Sequence, residues 1–537
     1  MKTRSRSALA CACLLFLSLS CSRQPDTSEQ RIFILPPENQ SSDASLDWVS
    51  AVIASALDYD LTGLPHLTPV NGAGRANRVL RAYFTSTNQR LALHAALEDP
   101  GAPKRIRTIV EEGPLAAGVV PLTDALAKEL GASARAFPAR DPGALKTFGQ
   151  AQLLAAPAER ATLLRAAITQ DPGFAPAYSS LAETLMAQND RVGAAEVAAT
   201  GAAKATQPID RARLQFLGAV ARDDLDGRER ALASLVTLTP GDPEAFQRLG
   251  ETHAIQRRFP EAIRDYETAA RLEPGDGSAY NFLAYLHAYS NDLPGARDAI
   301  SKYQELAPPG DANPVDSLGE INFLLGFFKE AERRFTEAHE PLKSAQARLM
   351  TGDLPGADAL FKTYLEASGI PPAVREFQQA QWEAITGRRV QATARMQQLA
   401  ASTVSGVAAL AGSQLAIWSG HLPPGAANTG LLQAVGFLLS GEFAQAVAPL
   451  EAAERGMHPA NDGQVRALLA WAYVESGQIE KAKPLVRLYP LPVSQAEPLL
   501  NSLVFPQFLK TRATALAGEA GSDPQRDQQL YSRYSAH

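Results

Sequence analysis

Phe246-Gln-Arg-Leu249-Gly250-Glu-Thr-His253 and Tyr280-Asn-Phe-Leu283-Ala284-Tyr-Leu-His287 are one phrase written twice, 34 residues apart. Each sets an aromatic, a leucine, a small residue and a histidine at i, i+3, i+4 and i+7, which is one face of a helix. A second helical face follows each, Ala262, Tyr266 and Ala269 in the first copy and Ala296, Ile300 and Tyr303 in the second, and the copies close on Pro274 and Pro308. Two short antiparallel helices cannot bury both apolar faces by themselves. Each pair must stack on the next, with small residues where helices cross closely and large ones filling the gaps.

Working outward, Leu164, Ala167 and Pro172 end one unit, and Tyr178, Leu181, Ala182, Leu185, Ala194 and Ala198 make another. Leu214, Leu217 and Gly218 mark the unit between Tyr178 and Phe246. Downstream, Leu318, Gly319, Gly326, Phe328, Ala331, Phe335 and Ala338 continue the pattern, as do Gly352, Leu354, Ala357 and Phe361, then Gly387, Ala392 and Met396. The pattern degrades between 401 and 430 and recovers at Gly441, Phe443, Ala446 and Leu450, then at Ala470, Tyr473, Gly477, Ile479 and Ala482. This grammar resembles the tetratricopeptide repeat, an aromatic-x2-Leu-Gly-x2-aromatic helix, an Ala-x3-aromatic helix and a closing Pro. It implies a mainly α chain, a tetratricopeptide-type α-solenoid of about ten or eleven helical-hairpin units over 143–495. A capping helix at 496–520 and a polar, frayed tail at 521–537 are expected to follow.

Before the array, alternation and strand-rich runs at Arg31 to Pro36, His66 to Val70, Val79 to Thr85, Arg90 to Leu97 and Arg105 to Glu111 predict strands. Helical spacing of Leu46, Val49, Val52, Ile53 and Leu57 predicts a helix to about Leu61, and a second is expected from Pro114 or Leu115 to Leu130. Residues 31–132 therefore read as a small α+β domain. Its opening, with Leu35, Pro36, Asn39, Asp43, Leu46, Asp47 and Trp48, resembles the TolB amino-terminal-like domain, although Pro37 stands where that family has Phe and the later Gly is missing. The resemblance implies no catalytic residues, and places the domain among those that precede repeat arrays in bacterial signalling and envelope proteins.

The first twenty residues belong to another class. Lys2, Arg4 and Arg6 precede an apolar run from Ala8 to Leu19, too short to span a bilayer, and this reads as a secretory leader over 1–20. All three cysteines, Cys11, Cys13 and Cys21, fall in or at the end of it, which excludes a disulfide framework or catalytic thiol downstream. Leu17-Ser-Leu-Ser-Cys21 resembles a bacterial lipobox, with its leucine one place out of register. It implies lipidation of Cys21, a tether over 21–30 and, from Ser22, delivery to the periplasmic side of the outer membrane. The alternative is a leader cut elsewhere, with Cys21 incidental.

The formal charge of −6 over 537 residues becomes about −9 without the leader's three basic residues, and no basic cluster exists, which argues against nucleic acid. No phosphate loop, zinc-protease motif, nucleophile elbow or His/Cys cluster is present, so no enzyme, cofactor or metal is expected. Asn71-Gly-Ala-Gly74 reads as a turn, and Trp48, Trp382, Trp418 and Trp471 read as filling between helices. In tetratricopeptide arrays the first helix of each unit lines the concave groove. The resemblance therefore places Glu183, Gln247, Glu251, Asn281, Tyr285, Asp316 and Glu320 there, a stripe suited to a basic or aromatic peptide. The competing reading of these positions is a solvated helix face. The function expected is a protein-interaction scaffold of the cell envelope; the alternative is a regulatory module related to repeat proteins fused to cyclases, kinases or DNA-binding domains.

Overall fold

The computed structural model describes residues 30–62, 67–69, 76–99, 104–114, 118–132, 137–139, 141–367, 369–423, 425, 430–493 and 497–535. The leader, Cys21, the tether up to residue 29 and the turn at 71–74 lie outside the described residues.

Strands β1 (Gln30–Ile34), β2 (Glu38–Asn39), β3 (Leu67–Pro69), β4 (Arg78–Thr87), β5 (Arg90–Asp99) and β6 (Lys104–Pro114) form one mixed sheet. Its order is β3-β1-β4-β5-β6, with β2 pairing β4. β1 runs parallel to β3 and β4, and β4, β5 and β6 form an antiparallel meander. Asn88 and Gln89 make the β4–β5 turn, both left-handed at φ 51° and 62°, the twist a two-residue hairpin needs. Leu91, Leu93, Ala95 and Leu97 are buried on the side covered by α1 (Asp47–Leu61) and α2 (Val120–Glu129). The entry to α1 is fixed by side chains: Asn39 Nδ2 donates to the Asp43 carbonyl at 3.0 Å and to Asp47 Oδ1 at 2.7 Å, and Asp43 Oδ1 accepts from the Ser45 amide at 2.8 Å. Helix α2 starts later than its apolar pattern predicts, because β6 stays paired with β5 as far as Pro114 opposite Arg90.

An α-solenoid follows. Its hairpins are α3 (Pro142–Gln152) with α4 (Pro157–Gln170), α5 (Ala175–Ala187) with α6 (Arg191–Lys204), and α7 (Pro208–Ala221) with α8 (Leu225–Leu238). Next come α9 (Pro243–Ile255) with α10 (Phe259–Leu272), α11 (Gly277–Tyr289) with α12 (Leu293–Leu306), and α13 (Asn313–Leu324) with α14 (Phe328–Glu337). Then come α15 (Pro341–Met350) with α16 (Leu354–Ala367) and α17 (Pro372–Ile385) with α18 (Arg389–Ala400). After the single helix α19 (Ser405–Trp418), α20 (Gly430–Leu439) pairs with α21 (Phe443–Glu454), and α22 (Gly463–Glu475) with the short α23 (Ile479–Ala482). That is ten hairpins among the described residues. The degraded pattern at 401–430 coincides with α19, a first helix with no second helix described after it.

The period has a backbone cause. Asn189, Asp223, Arg257 and Asn291 sit at the turn within four successive hairpins, each in left-handed conformation at φ 63°, 53°, 62° and 60°. Three of the residues that follow them, Asp190, Asp224 and Asp292, cap the second helix by accepting from the amides of Gly193, Gly227 and Gly295 at 2.9, 2.8 and 3.1 Å. Across the hairpin, a Cβ on Gly250 would lie 2.7 Å from the Tyr266 ring, and one on Gly319 2.6 Å from the Phe335 ring. The small residue of the repeat is thus the seat of the aromatic on its partner helix.

First helices of neighbouring hairpins touch one another, α5 with α7 and α11 with α13, and α17 likewise touches the single helix α19. Their closer spacing puts them on the inner side of the curve. The sheet domain is fused to this array at its start. α1 packs on α3, where Gly149 leaves no room for a Cβ against the Trp48 carbonyl, 2.6 Å away. Tyr59, Phe137, Phe148 and Phe174 form an aromatic cluster across the joint, edge-to-face except for the tilted Phe137–Phe148 pair.

The carboxy-terminal end departs from expectation. Beyond α23 the chain crosses to the middle of the array: the Tyr489 amide donates to the Leu324 carbonyl at 2.9 Å and the Val493 amide to Gln346 Oε1 at 2.8 Å. α24 (Asn501–Ala515) packs on α22 and α17 as well as closing the end of the array. The expected frayed tail instead forms α25 (Pro524–Tyr534), with Asp527, Leu530 and Tyr534 buried. Tyr534 donates its hydroxyl proton to the Leu349 carbonyl at 2.8 Å, and Arg526 lies over the Phe328 ring and donates to the Met350 carbonyl at 2.6 Å. Among the described residues no helix is long and apolar enough to cross a membrane.

Candidate functional site

The seven residues that the repeat register singles out lie on the first helices α5, α9, α11 and α13, and the structure separates them into a paired cluster, the exposed Glu251, and two residues at a recess. Asp316, Glu320 and Tyr285 form a closed network. Lys343 Nζ, from α15, donates to Asp316 Oδ2 at 2.6 Å and Glu320 Oε1 at 2.7 Å, and Tyr285 donates its hydroxyl proton to Glu320 Oε2 at 2.5 Å. Burial lowers the Lys343 ammonium's affinity for its proton, but Glu320 and Asp316 outweigh that and raise it above the usual lysine range. Burial raises the Tyr285 hydroxyl far above its ordinary value, reinforced by the Glu320 charge. Burial also raises Asp316, against the pull of Lys343. Both acids are thus already paired, sharing the single charge of Lys343. Asn281 stands beside them on α11, its Oδ1 buried without a hydrogen-bond partner among the described residues.

Glu251 is exposed in the middle of the groove. Near it Phe282, 40% exposed, stacks on Tyr266 at 5.2 Å and meets the edge of His458 at 6.5 Å. Burial holds the His458 imidazole below its usual range, with Glu251 opposing. His458 belongs to the turn before α22, which is tied to the α9–α10 turn by the Arg257–Asp462 ion pair. The far end of the array thus curls back toward its centre. His253 and His287, one repeat apart, do not form a shared site: His253 Nδ1 meets Asp265 at 2.6 Å and His287 Nδ1 meets Asp292 at 2.9 Å.

Glu183 and Gln247 are the two at the recess, a space of about 700 Å³ between α1 of the sheet domain and the inner helices α5, α7 and α9. Gln247 Nε2 donates to Asp276 Oδ2 at 2.7 Å, whereas Glu183 makes no side-chain hydrogen bond or ion pair among the described residues. The other walls include Asp58, Tyr59, Arg213, Phe216, Asp242 and Arg248. Tyr59 donates its hydroxyl proton to Asp210 Oδ2 at 3.1 Å, and Arg213 lies over the Tyr59 ring at 5.8 Å. Arg248 lies over Phe216 at 5.3 Å and pairs with Glu244. The crowding walls of this concavity desolvate the carboxyls of Asp58, Glu183 and Asp242 and raise them above the usual range, although Asp58 and Glu183 keep an exposed surface toward its mouth, and the arginines offset the rise only in part.

Sequence reading missed Lys343, Arg213 and Asp58. Lys343 lies one unit beyond the last register position assigned, and extending the register to α15 would have found it. Asp58 faces the array only because α1 docks on α3, a tertiary event without a local signature.

No family model and no curated protein matches this sequence. Among solved structures the chain is similar to residues 41 to the end of MamA from Desulfovibrio magneticus RS-1, at 15% identity over 31% of this chain and 96% of that one, TM-score 0.29. It is similar to YrrB, described as a TPR protein with an unusual peptide-binding site, at 18% identity over 31% of this chain and 88% of that one, TM-score 0.27. A tetratricopeptide repeat protein from Parabacteroides merdae ATCC 43184 is similar at 14% identity over 44% of this chain and 97% of that one, TM-score 0.34.

Proposed function

We propose that this chain is a protein-interaction scaffold of the bacterial envelope, held to the membrane by lipid on Cys21 and presenting its concave face to a protein or peptide partner. The observation that carries the binding part is the open stretch of inner surface from the recess to Glu251, where first helices stack in register and Glu183 and Glu251 have no partner of their own among the described residues. An extended segment laid along such a surface gains main-chain and side-chain contacts from several units at once. The anchoring part is supported by the basic start, the short apolar run and the small residue before Cys21.

The partner-binding test is affinity capture from detergent-solubilised envelopes with the wild-type chain and a Glu183→Lys/Glu251→Lys variant, each shown to be folded by circular dichroism. Exposed charges contribute about 0.2–1 kcal/mol each, so retention of a basic partner should drop several-fold in the variant, and wild-type retention should fall as salt rises. An identical set of partners, held equally well, would move the binding surface off the concave face. For the anchor, Cys21→Ala is expected to shift the protein from the membrane to the soluble fraction and to abolish a lipid-modified amino-terminal peptide by mass spectrometry. If the variant stayed in the membrane fraction, lipid attachment would be ruled out as the anchor.

A further inference from the structure

The sheet domain supplies one wall of the recess described above and the repeats the other, so neither unit forms it alone. We propose that this recess is a composite site for a cationic side chain, the guanidinium or ammonium group of an extended peptide, received between Asp58 of α1 and Glu183 of α5. The inference rests on the scaffold reading and names the chemistry of its ligand.

Volume comes first. About 700 Å³ is the size of a ligand site that takes a few peptide residues. Its lining includes the aromatic and apolar side chains of Tyr59, Phe137, Phe216, Leu217, Leu232 and Leu235, which suit the methylene stem of a long basic side chain.

Charge decides the sign. Six carboxylates and three guanidiniums line the recess. Two of the guanidiniums are committed to the walls. Arg248 is held by Glu244 and the Phe216 face, and Arg160 donates to Gln152. Arg213 rests on the Tyr59 ring and makes no ion pair within 4 Å among the described residues. Burial keeps both Asp58 and Glu183 harder to ionise than an ordinary carboxylate, although Arg213 opposes it at Asp58 and Arg248, Arg160 and, least, Arg213 oppose it at Glu183. A cation entering between them would remove that penalty. An anion would meet Arg213 but face the surplus of acids.

The geometry also shows that the walls tolerate this chemistry. The chain already lays two of its own guanidiniums over the Tyr59 and Phe216 rings, at 5.8 and 5.3 Å from the ring centres. A ligand guanidinium needs an aromatic face with a free carboxylate beside it, and Asp58 and Glu183 are the lining carboxylates whose side chains make neither a hydrogen bond nor an ion pair among the described residues, whereas Asp242 is held by the amides of Glu244 and Ala245.

The test uses the full chain in detergent and four fluorescein-labelled, end-capped pentapeptides of alanine with Arg, Lys, Gln or Glu at the centre, read by fluorescence anisotropy. The expected result is binding of the Arg and Lys peptides at least tenfold tighter than the Gln and Glu peptides. That preference should be lost in Asp58→Asn/Glu183→Gln and kept in Glu267→Gln, an exposed carboxylate on α10. Arg213→Gln should tighten the basic peptides several-fold, an effect that damage to the fold would not produce. Equal binding of all four peptides, no binding, or a preference that survives Asp58→Asn/Glu183→Gln would overturn the proposal. If envelope partners are still captured on the concave face while the pentapeptides fail, the scaffold reading stands and only the cationic chemistry falls.

Discussion

Ending the chain at Gly521 is expected to destabilise the carboxy-terminal half of the array more than any surface substitution in it. The truncation removes α25, and with it Asp527, which is 0% exposed and accepts from Arg512 Nη1 at 2.5 Å and from the Tyr489 hydroxyl at 2.9 Å. Arg512 is itself buried and also donates from Nε to the Val486 carbonyl at 2.8 Å. Without Asp527 a buried guanidinium faces an apolar surround with its charge uncompensated, and breaking such a pair costs about 3–5 kcal/mol. Asp527→Ala isolates that effect from the loss of Tyr534 and Leu530. Because a chain of this size need not unfold in one step, the measurement is denaturant dependence of proteolytic cleavage between residues 320 and 520. The truncation should lower the midpoint most, Asp527→Ala next, and Ser532→Ala, on the exposed face, not at all. A truncated chain as resistant as wild type would show that α25 is dispensable.

How far these features can be read from sequence depends on the range of the contacts that create them. The hairpins were legible because each is local: the left-handed turn at Asn189, Asp223, Arg257 and Asn291 and the close seat at Gly250 and Gly319 recur within one period. The return of the tail was not. Its partners, Leu349 for Tyr534 and Leu324 for Tyr489, lie far away in sequence, and Pro524-Gln-Arg-Asp-Gln-Gln-Leu-Tyr-Ser-Arg-Tyr534 has the polarity of a solvated end. One signal was present in it, Asp527, Leu530 and Tyr534 at i, i+3 and i+7, a single buried stripe. The acidic stripe of the groove was half legible for a similar reason. The register located Asp316 and Glu320 on one surface, but the Lys343 that pairs with both enters from the next unit. The recess around Glu183 depends on a helix from a different domain.

The second large effect is expected at the repeat that fixes the register. Tyr266 is 3% exposed, lies in the seat left by Gly250 and stacks on Phe282 at 5.2 Å. Tyr266→Ala removes a buried ring in the middle of the array, where its own hairpin and the following one lose a packing surface, and should cost about 3–5 kcal/mol. Gly250→Ala attacks the same contact from the other side. The new Cβ would stand 2.7 Å from ring carbon Cδ2, so the ring or the helix must move, at about 1–3 kcal/mol for overpacking. Their combination separates the mechanisms. With the ring gone the alanine methyl has space, so Gly250→Ala/Tyr266→Ala should be less destabilised than the sum of the single changes, with a coupling of about 0.5–3 kcal/mol. Denaturant dependence of proteolytic cleavage within residues 243–306, measured on the four proteins, gives the cycle. Strict additivity would mean that the small residue is there for helix packing in general, and that the seat between Gly250 and Tyr266 is not what sets the repeat.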